Sequence, residues 1–223
     1  MVTKKSYKLI RSKRRTIALA VTADASLIVR APMNTPLSYI ERLVESKIDW
    51  IRRAISRVSS RPRPVEHEYA EGESFPYLGK SYKLRVVKAP EKKINFRSEF
   101  LLSSKEKKNA RELFIAWYKK EAKQKISERV EWCARRAGIS YESIKITTAN
   151  RRWGSCSTSG NLNFSWRLIM APLSVVDYVV VHELAHIEHK NHSKAFWNSV
   201  KVMYPNYEKA QRWLQQNEGT LNL

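Results

Sequence analysis

The chain has 223 residues, of which 43% are hydrophobic, so it can bury a sizeable core as one large domain or as two small ones. No apolar run approaches the roughly 20 residues that cross a bilayer, and the two cysteines are too few for a disulfide framework, so we expect a cytoplasmic protein without membrane contact. A net charge of +21 is spread along the chain and favours association with nucleic acid, nucleotides or another polyanion.

The first hundred residues are predicted to be rich in β-structure. Residues 7–32 alternate polar and apolar side chains between turn-like stretches, which predicts a strand meander. From Pro36 to about Arg57 the apolar residues recur at helical spacing, which predicts one amphipathic helix. Prolines make residues 59–64 a linker or turn. Two further strands are then predicted, at 77–88 and 93–104.

A long helix is predicted from Ser104 to Ala137, with Gly138 as its end. Its buried side is expected to consist of apolar residues, namely Leu113, Phe114, Trp117, Ile126, Val130 and Cys133. We place a domain boundary before this helix. Residues 1–103 then form a β-rich N-terminal region with one helix, and residues 104–223 form the domain that carries the site.

The polar motifs lie after this helix. Residues 141–149 predict a strand and residues 151–161 a loop, in which Gly154 is expected to serve the turn. Residues 161–170 predict a second strand, whose apolar side chains alternate with Asn163, Ser165 and Arg167. Ser174 and Asp177 stand at capping-box spacing, which predicts the start of a further helix.

Four of the five histidines fall within VVVHELAHIEHKNHSKAFW, residues 179–197. His182 and His186 are four residues apart, so on a helix they lie one above the other, about 6 Å apart along the axis. Two imidazoles at this spacing can converge on one zinc ion. Glu183 is rotated by about 100° and can reach a water on the metal without being a ligand. The alternative is a chance match between the HExxH pattern and two core histidines.

A catalytic zinc ion usually has three protein ligands, so a third is required. His192 follows Asn191, a possible left-handed helix end, where a chain reversal could return an imidazole to the metal. His189 and Glu208 are the alternatives, although we expect His189 to hydrogen-bond near the site or to line its mouth. Ser193 is the predicted cap of the next helix.

Two motifs together, NRRWGSCS at 150–157 and HELAHIEHKNHSKAFW at 182–197, resemble the YgjP-like metallopeptidases, a bacterial branch of the zincins. There is a more distant likeness to SprT-type proteases. The resemblance covers most of the chain, including the segment YLGKSYKL. It implies an α+β fold, in which a zincin-like metallopeptidase core of helices packed on a small mixed sheet follows the β-rich N-terminal region.

The resemblance also implies a ligand set. One zinc ion (Zn2+) per chain would be held by His182, His186 and His192, with Glu183 as the catalytic acid/base. The spacing from His186 to His192 equals that of the metzincins, but His189 occupies the place of their glycine, so we do not assign the chain to that group.

The implied mechanism is metal-assisted hydrolysis, in which Glu183 takes a proton from the attacking water and returns it to the leaving group. In peptidases of this architecture the strand before the metal helix lies at a sheet edge. Residues 161–169 could therefore hold an extended peptide by strand addition; the alternative is that the strand is paired on both sides. The candidate substrate or oxyanion contacts are Arg152, Asn163, Ser165, Arg167 and His189.

Three functions remain in competition. A peptidase acting on a peptide or protein substrate is favoured by the motifs. A nucleotide pyrophosphatase or phosphohydrolase, an activity attributed to YgjP-like proteins towards UTP, would use Arg151, Arg152 and Arg167 to bind a nucleoside triphosphate. A nucleic-acid-associated protease is supported by the charge alone, and a basic surface without a dedicated partner is the alternative interpretation of that charge.

Overall fold

The fold is described from a computed structural model, and its described residues are 7–22, 24–59, 67–88, 92–217 and 219–223. The chain forms two compact units, Met1–Pro62 and Arg63–Leu223. The division between these units falls after Pro62, and the domain boundary predicted between residues 103 and 104 stays a prediction. The linker predicted at 59–64 lies outside the described residues from residue 60 onward. Within the described part of the chain, no helix is long and apolar enough to cross a membrane.

The first unit contains a three-stranded sheet of β1 (Tyr7–Ser12), β2 (Ala18–Val21) and β3 (Leu27–Pro32). The strand order is β1-β3-β2, with β1 parallel and β2 antiparallel to β3. The predicted strands form, but a meander would have placed β2 in the centre, so that prediction is wrong. The central strand is the one that carries the buried residues Leu27, Val29 and Ala31.

Two helices, α1 (Leu37–Ser46) and α2 (Ile48–Ser59), occupy the segment in which one was predicted. Lys47 separates them at φ −110° and ψ 12°, and its N–H donates to the carbonyl of Val44 at 3.2 Å. This three-residue spacing tightens the turn and ends the first helix. Buried Ile40 and Ile51 pack with the β3 side chains to form the core of this unit.

The second unit begins with a four-stranded sheet of β4 (Ser74–Tyr77), β5 (Lys80–Val87), β6 (Ile94–Phe96) and β7 (Phe100–Ser103), in the order β4-β5-β7-β6. Two strands were predicted here, because the turns within each segment were missed. The sheet packs on the long helix: Phe75 stacks on Phe114 with ring centroids 4.2 Å apart, and the hydroxyl of Tyr118 donates to the carbonyl of Pro76 at 2.6 Å. These contacts place the sheet in the same core as that helix.

The long helix is α3 (Ala110–Ala137), preceded by a 3-10 helix at Ser104–Asn109. It ends at Gly138, which has the left-handed φ of 68°. The predicted end is confirmed. The residues of its fully buried stripe recur at helical spacing and are Phe114, Tyr118, Ala122, Ile126 and Val130.

A second three-stranded sheet contains β8 (Ser143–Thr147), β9 (Gly154–Cys156) and β10 (Asn161–Ser165), in the order β8-β10-β9. Because β10 is paired on both sides, the prediction of an edge strand at 161–169 is wrong. The strand also ends at Ser165, and residues 166–170 form a buried 3-10 helix. The edge strand β9 lies in the segment that was predicted to be a loop.

The remaining helices are α4 (Leu173–Glu188), α5 (Lys194–Met203) and α6 (Tyr207–Asn217). The capping-box prediction for α4 is wrong, because the helix starts after Pro172 and has no side-chain cap. Asp177 instead accepts two hydrogen bonds from Arg129 on α3, at 2.5 and 2.9 Å. This ion pair joins α3 to the helix that carries the HELAH motif.

The turn between β4 and β5 braces the start of α4. The N–H of Leu78 donates to the carbonyl of Ile169 at 2.9 Å, and the N–H of Gly79 donates to that of Met170 at 3.0 Å. A Cβ at Gly79 would lie 2.7 Å from the side chain of Pro172, so only glycine permits this contact. The β4–β5 turn of the four-stranded sheet therefore helps to position α4.

Candidate metal centre

Three histidines converge at the end of α4. His182 and His186 project from the helix and His192 returns from beyond it, so that one nitrogen from each lies within 4.8 Å of the others. The Nε2 atoms of His182 and His192 are 3.0 Å apart. Within the described residues this is the cluster with metal-ligand character, and neither His189 nor Glu208 belongs to it.

The chain reverses differently from the prediction. Helix α4 ends at Glu188, and His189 leaves it in an extended conformation at φ −119° and ψ 102°. Asn191 does not have a positive φ, so the predicted left-handed end is wrong. Ser193 caps α5 as predicted, with its hydroxyl accepting the N–H of Phe196 at 3.4 Å. The bend at Lys190 and Asn191, between the two helices, brings His192 back over α4.

A hydrogen bond fixes the orientation of His186. Its Nδ1–H donates to the backbone carbonyl of His189 at 2.9 Å, because a carbonyl can only accept. The lone pair on Nε2 is then available to a metal. The Nε2 of His189 is 2.9 Å from the hydroxyl of Ser199. His189 thus lies beside the centre as a hydrogen-bonding residue.

Phe196 packs against all three imidazoles. Its ring centroid lies 4.9 Å from that of His182, 4.5 Å from that of His186 and 4.7 Å from that of His192. Phe196 is itself fully buried. A buried aromatic ring in contact with three imidazoles restricts their rotation and keeps them convergent.

The protonation of the cluster suits a cation. Burial and the neighbouring histidines lower the pKa of His182 to about 4, so it is neutral at pH 7. Burial and His186 also lower the pKa of His192. Neutral imidazole is the form that binds metal, and the buried Nδ1 of His182 has no hydrogen-bond partner among the described residues. The three converging imidazole nitrogens fit a divalent ion that accepts nitrogen ligands.

Glu183 follows His182 of this cluster on α4 and is only 5% exposed. Burial raises the pKa of its carboxyl to about 8, and the positive charge of Arg152 opposes this shift. A Cβ at Gly154 would lie 2.5 Å from Oε1 of Glu183. Gly154 belongs to β9 and not to a turn, so the role predicted for it is wrong.

Residues 15–217 match the YgjP-like family, described as a YgjP-like metallopeptidase domain. The chain belongs to the YgjP-like family. It is therefore a metal-dependent hydrolytic enzyme of the metallopeptidase class, and the predicted α+β fold is confirmed.

Two solved structures resemble part of this YgjP-like chain. The metallopeptidase zymogen abylysin of Pyrococcus abyssi is 20% identical, with 41% of this chain and 97% of that chain covered and a TM-score of 0.38. The metallopeptidase zymogen jannalysin of Methanocaldococcus jannaschii is 19% identical, with 41% and 94% covered and a TM-score of 0.37. A comparison with curated proteins found no significant match.

Of the other predicted site residues, Arg152 is exposed and close enough to Glu183 to affect its pKa. The side-chain amide of Asn163 donates to the hydroxyl of Ser155 at 3.4 Å, across the β9–β10 pair. Asn163 therefore belongs to the sheet beside α4, and Arg152 belongs to the loop that leads into this sheet.

Ser165 and Arg167 make contacts away from the histidines. The buried hydroxyl of Ser165 donates to the carbonyl of Ala149 at 2.7 Å. Arg167 donates to the carbonyl of Thr148 and to the side chain of Asn222, both at 3.3 Å. These two residues secure the segment that leads towards Arg152, and their contacts are structural.

Besides Phe196, three aromatic residues near the centre were absent from the predicted site, namely Tyr178, Trp197 and Tyr207. The Tyr178 ring lies 5.9 Å from that of His182, and burial raises the pKa of its hydroxyl to about 12. Tyr207 stacks on Trp197 at 5.3 Å and on Tyr178 at 6.4 Å. A signal existed for Tyr178, since it precedes His182 by four residues on the same face of α4.

Proposed function

We propose that this enzyme is a zinc-dependent peptidase in which His182, His186 and His192 hold the ion and Glu183 is the general base. The convergence of three imidazoles, with a buried carboxyl group on the residue that follows His182, carries this proposal. Three histidine ligands would leave a zinc ion able to bind a water molecule or substrate, as catalytic zinc sites do.

Each side chain has a separate role in this proposal. When bound, zinc supplies Lewis acidity that polarises the scissile carbonyl and acidifies a water molecule. Glu183 takes the proton of the attacking water and passes it to the leaving nitrogen of the peptide. In the metal-free chain, burial raises the pKa of Glu183 to about 8. A general base transfers protons most effectively in both directions when its pKa lies near the pH at which the enzyme works.

We also propose that an extended peptide binds along β9. Among the described residues β9 pairs with β10 alone, so its other edge presents backbone N–H and C=O groups for strand addition. Gly154 in β9 lies against Glu183, so a peptide on this edge would pass close to the proposed base.

The phosphohydrolase alternative has less support from the geometry. Arg167, one of the three arginines predicted to bind phosphates, already donates to Thr148 and Asn222. Arg151 and Arg152 remain exposed. The nucleic-acid-associated alternative still rests on the net charge of +21.

A side-by-side assay tests the proposal. The purified protein, loaded with zinc, stripped by a chelator and reloaded, is offered casein, a peptide library and nucleoside triphosphates. We expect peptide cleavage that is lost on chelation and restored by zinc. Hydrolysis of UTP without cleavage of any peptide would contradict the peptidase proposal and favour the phosphohydrolase.

A further inference from the structure

Gly154 comes unusually close to the side chain of Glu183. A Cβ built on Gly154 would lie 2.5 Å from Oε1, 2.6 Å from Cγ and 2.8 Å from Cδ of Glu183, and real Cβ atoms essentially never approach other atoms within 3.0 Å. The contact involves Cγ as well as the flexible end of the side chain. Relief would therefore require the whole Glu183 side chain to move.

The backbone of Gly154 does not itself require glycine. Four other glycines, Gly72, Gly79, Gly138 and Gly160, have a positive φ that other residues rarely adopt, whereas Gly154 does not. Gly154 lies in regular pairing opposite Phe164. The requirement for glycine at this position thus comes from the space that Glu183 occupies.

That space cannot easily be found elsewhere. Glu183 is 5% exposed, and the two residues that follow it on α4, Leu184 and Ala185, are fully buried. On the other side, β9 is held in place by its pairing with β10. A displaced carboxylate would meet a close-packed interior, in which added volume is costly.

We propose that Gly154 is a positioning residue: the absence of a side chain leaves the volume that the carboxylate of Glu183 fills, and the β9 backbone holds that carboxylate beside the three histidines. This inference rests on the proposed function, in which Glu183 transfers the proton. The glycine of the RWGSC motif, Gly154, thus orients the proposed general base, Glu183.

Kinetics give the first test. In the zinc-loaded enzyme, Gly154→Ala should lower kcat about 100-fold, the cost expected when a catalytic group is misplaced by roughly 1 Å, with zinc content and KM unchanged. A rise in KM at constant kcat would instead make Gly154 a substrate-contact residue and would overturn the proposal.

The second test needs no activity and uses the melting temperature of the metal-free protein. Gly154→Ala should lower Tm by about 3–10 °C in the wild-type background and by the same amount in Glu183→Gln, which keeps the side-chain shape. In Glu183→Ala, which removes all three contacting atoms, Gly154→Ala should cost nothing measurable. If Gly154→Ala alone does not fold, the double variant with Glu183→Ala should fold.

Ser155→Ala, on the next residue of β9, is the matched control and should change Tm equally in every background. An equal Tm loss from Gly154→Ala in all three backgrounds would overturn the proposal, because the cost would then arise from the backbone. A failure of the peptidase proposal would leave this pattern of melting temperatures unchanged, so the two outcomes can be told apart.

Discussion

His186 donates its Nδ1 proton to the backbone carbonyl of His189 at 2.9 Å, so His189 supports the metal centre through its main chain. The side chain of His189 is directed to Ser199 instead. The two histidines that follow α4 therefore have different parts: the His192 imidazole joins the cluster, and the His189 carbonyl orients one of its members.

Substitution of His189 and of His192 should distinguish orientation of a ligand from direct binding of the metal. His189→Ala keeps the backbone carbonyl, so we expect it to bind one zinc ion per chain. Its zinc affinity should fall by at most about tenfold, because residues that only orient a metal ligand typically contribute about 10- to 100-fold. His192→Ala removes a ligand and should abolish stoichiometric zinc. Elemental analysis and competition with a chelator measure both. Full zinc content in His192→Ala would exclude it as the third ligand.

Glu183→Gln should separate catalysis from metal binding. The amide keeps the shape of the side chain but cannot take a proton, so peptide hydrolysis should fall by roughly 10² to 10⁴ while zinc remains bound. His186→Ala is the contrasting variant, which should lose zinc and, with it, the stabilisation that bound metal adds to the fold. Undiminished zinc-dependent hydrolysis by Glu183→Gln would show that another group is the base.

The metal-free protein should show a pH-dependent cost of burying Glu183. Burial raises the pKa of this carboxyl from 4.5 to about 8 in the folded state. Because the folded carboxyl holds its proton more tightly, its contribution to stability is fully present below pH 4.5 and is lost as the pH rises through 8. Glu183→Gln should therefore exceed the wild type in free energy of unfolding at pH 8.5, by an amount on the order of a few kcal/mol.

At pH 4.5 the two proteins should differ little. The lowered pKa of His182 reduces stability as the pH falls from 6.5 through about 4, but it does so in both proteins and cancels in the comparison. Urea denaturation at the two pH values supplies the measurement. A difference of equal size at both would show that ionisation of Glu183 is not its cause.

The ion pair between α3 and α4 should matter more than ion pairs on the surface. The side chains of Arg129 and Asp177 are 23% and 14% exposed and share two hydrogen bonds. Asp177→Ala leaves the arginine without its partner and should lower the free energy of unfolding by about 2 kcal/mol. Glu131→Ala, which breaks a pair with Arg135 whose side chains are 78% and 63% exposed, should change it little. Equal effects in urea denaturation would contradict the expectation.

The basic residues of the first unit allow a test of polyanion binding. Lys8, Lys13 and Arg15 are exposed there, whereas Arg11 donates to the carbonyls of Pro32 and Met33 and contributes to the structure. If the exposed three contact nucleic acid, affinity for DNA or RNA should fall steeply with added salt, because bound phosphates release counterions.

Replacing these three residues with glutamine should make the slope of log affinity against log salt concentration less steep by about two to three. Three exposed lysines of α3, Lys119, Lys120 and Lys123, provide the control set with the same change in charge. An equal effect of both sets would indicate that overall charge, and not a surface of the first unit, drives binding. Absence of binding at low salt would leave the charge as a solubility feature.

Features that depend on neighbours in the sequence could be predicted without the structure. The four-residue separation of His182 and His186, the helix end at Gly138 and the cap at Ser193 all act within one helical turn. The interactions that define a helix and its ends reach only three or four residues along the chain, so the local pattern is sufficient.

The order of the strands in a sheet could not be predicted from the sequence pattern. The alternation in residues 161–165 is that of a strand, and it does not say whether the strand lies at an edge or in the centre. Pairing with β8 and β9 puts it in the centre, which moves the candidate substrate edge to Gly154–Cys156. The paired residues are 6 to 10 positions away in β9 and 18 positions away in β8, and the side-chain period of two carries no information about either pairing.

The amino-acid sequence by itself determined which side chains can bind a metal and which of them share a helical face, because residue type and helical period are local properties. Only the tertiary structure decided that His192 returns to that face, that Phe196 contacts all three imidazoles and that Gly154 leaves room for Glu183. Those contacts join α4 to α5 and to β9, and they exist only because the elements bury their apolar surfaces against one another.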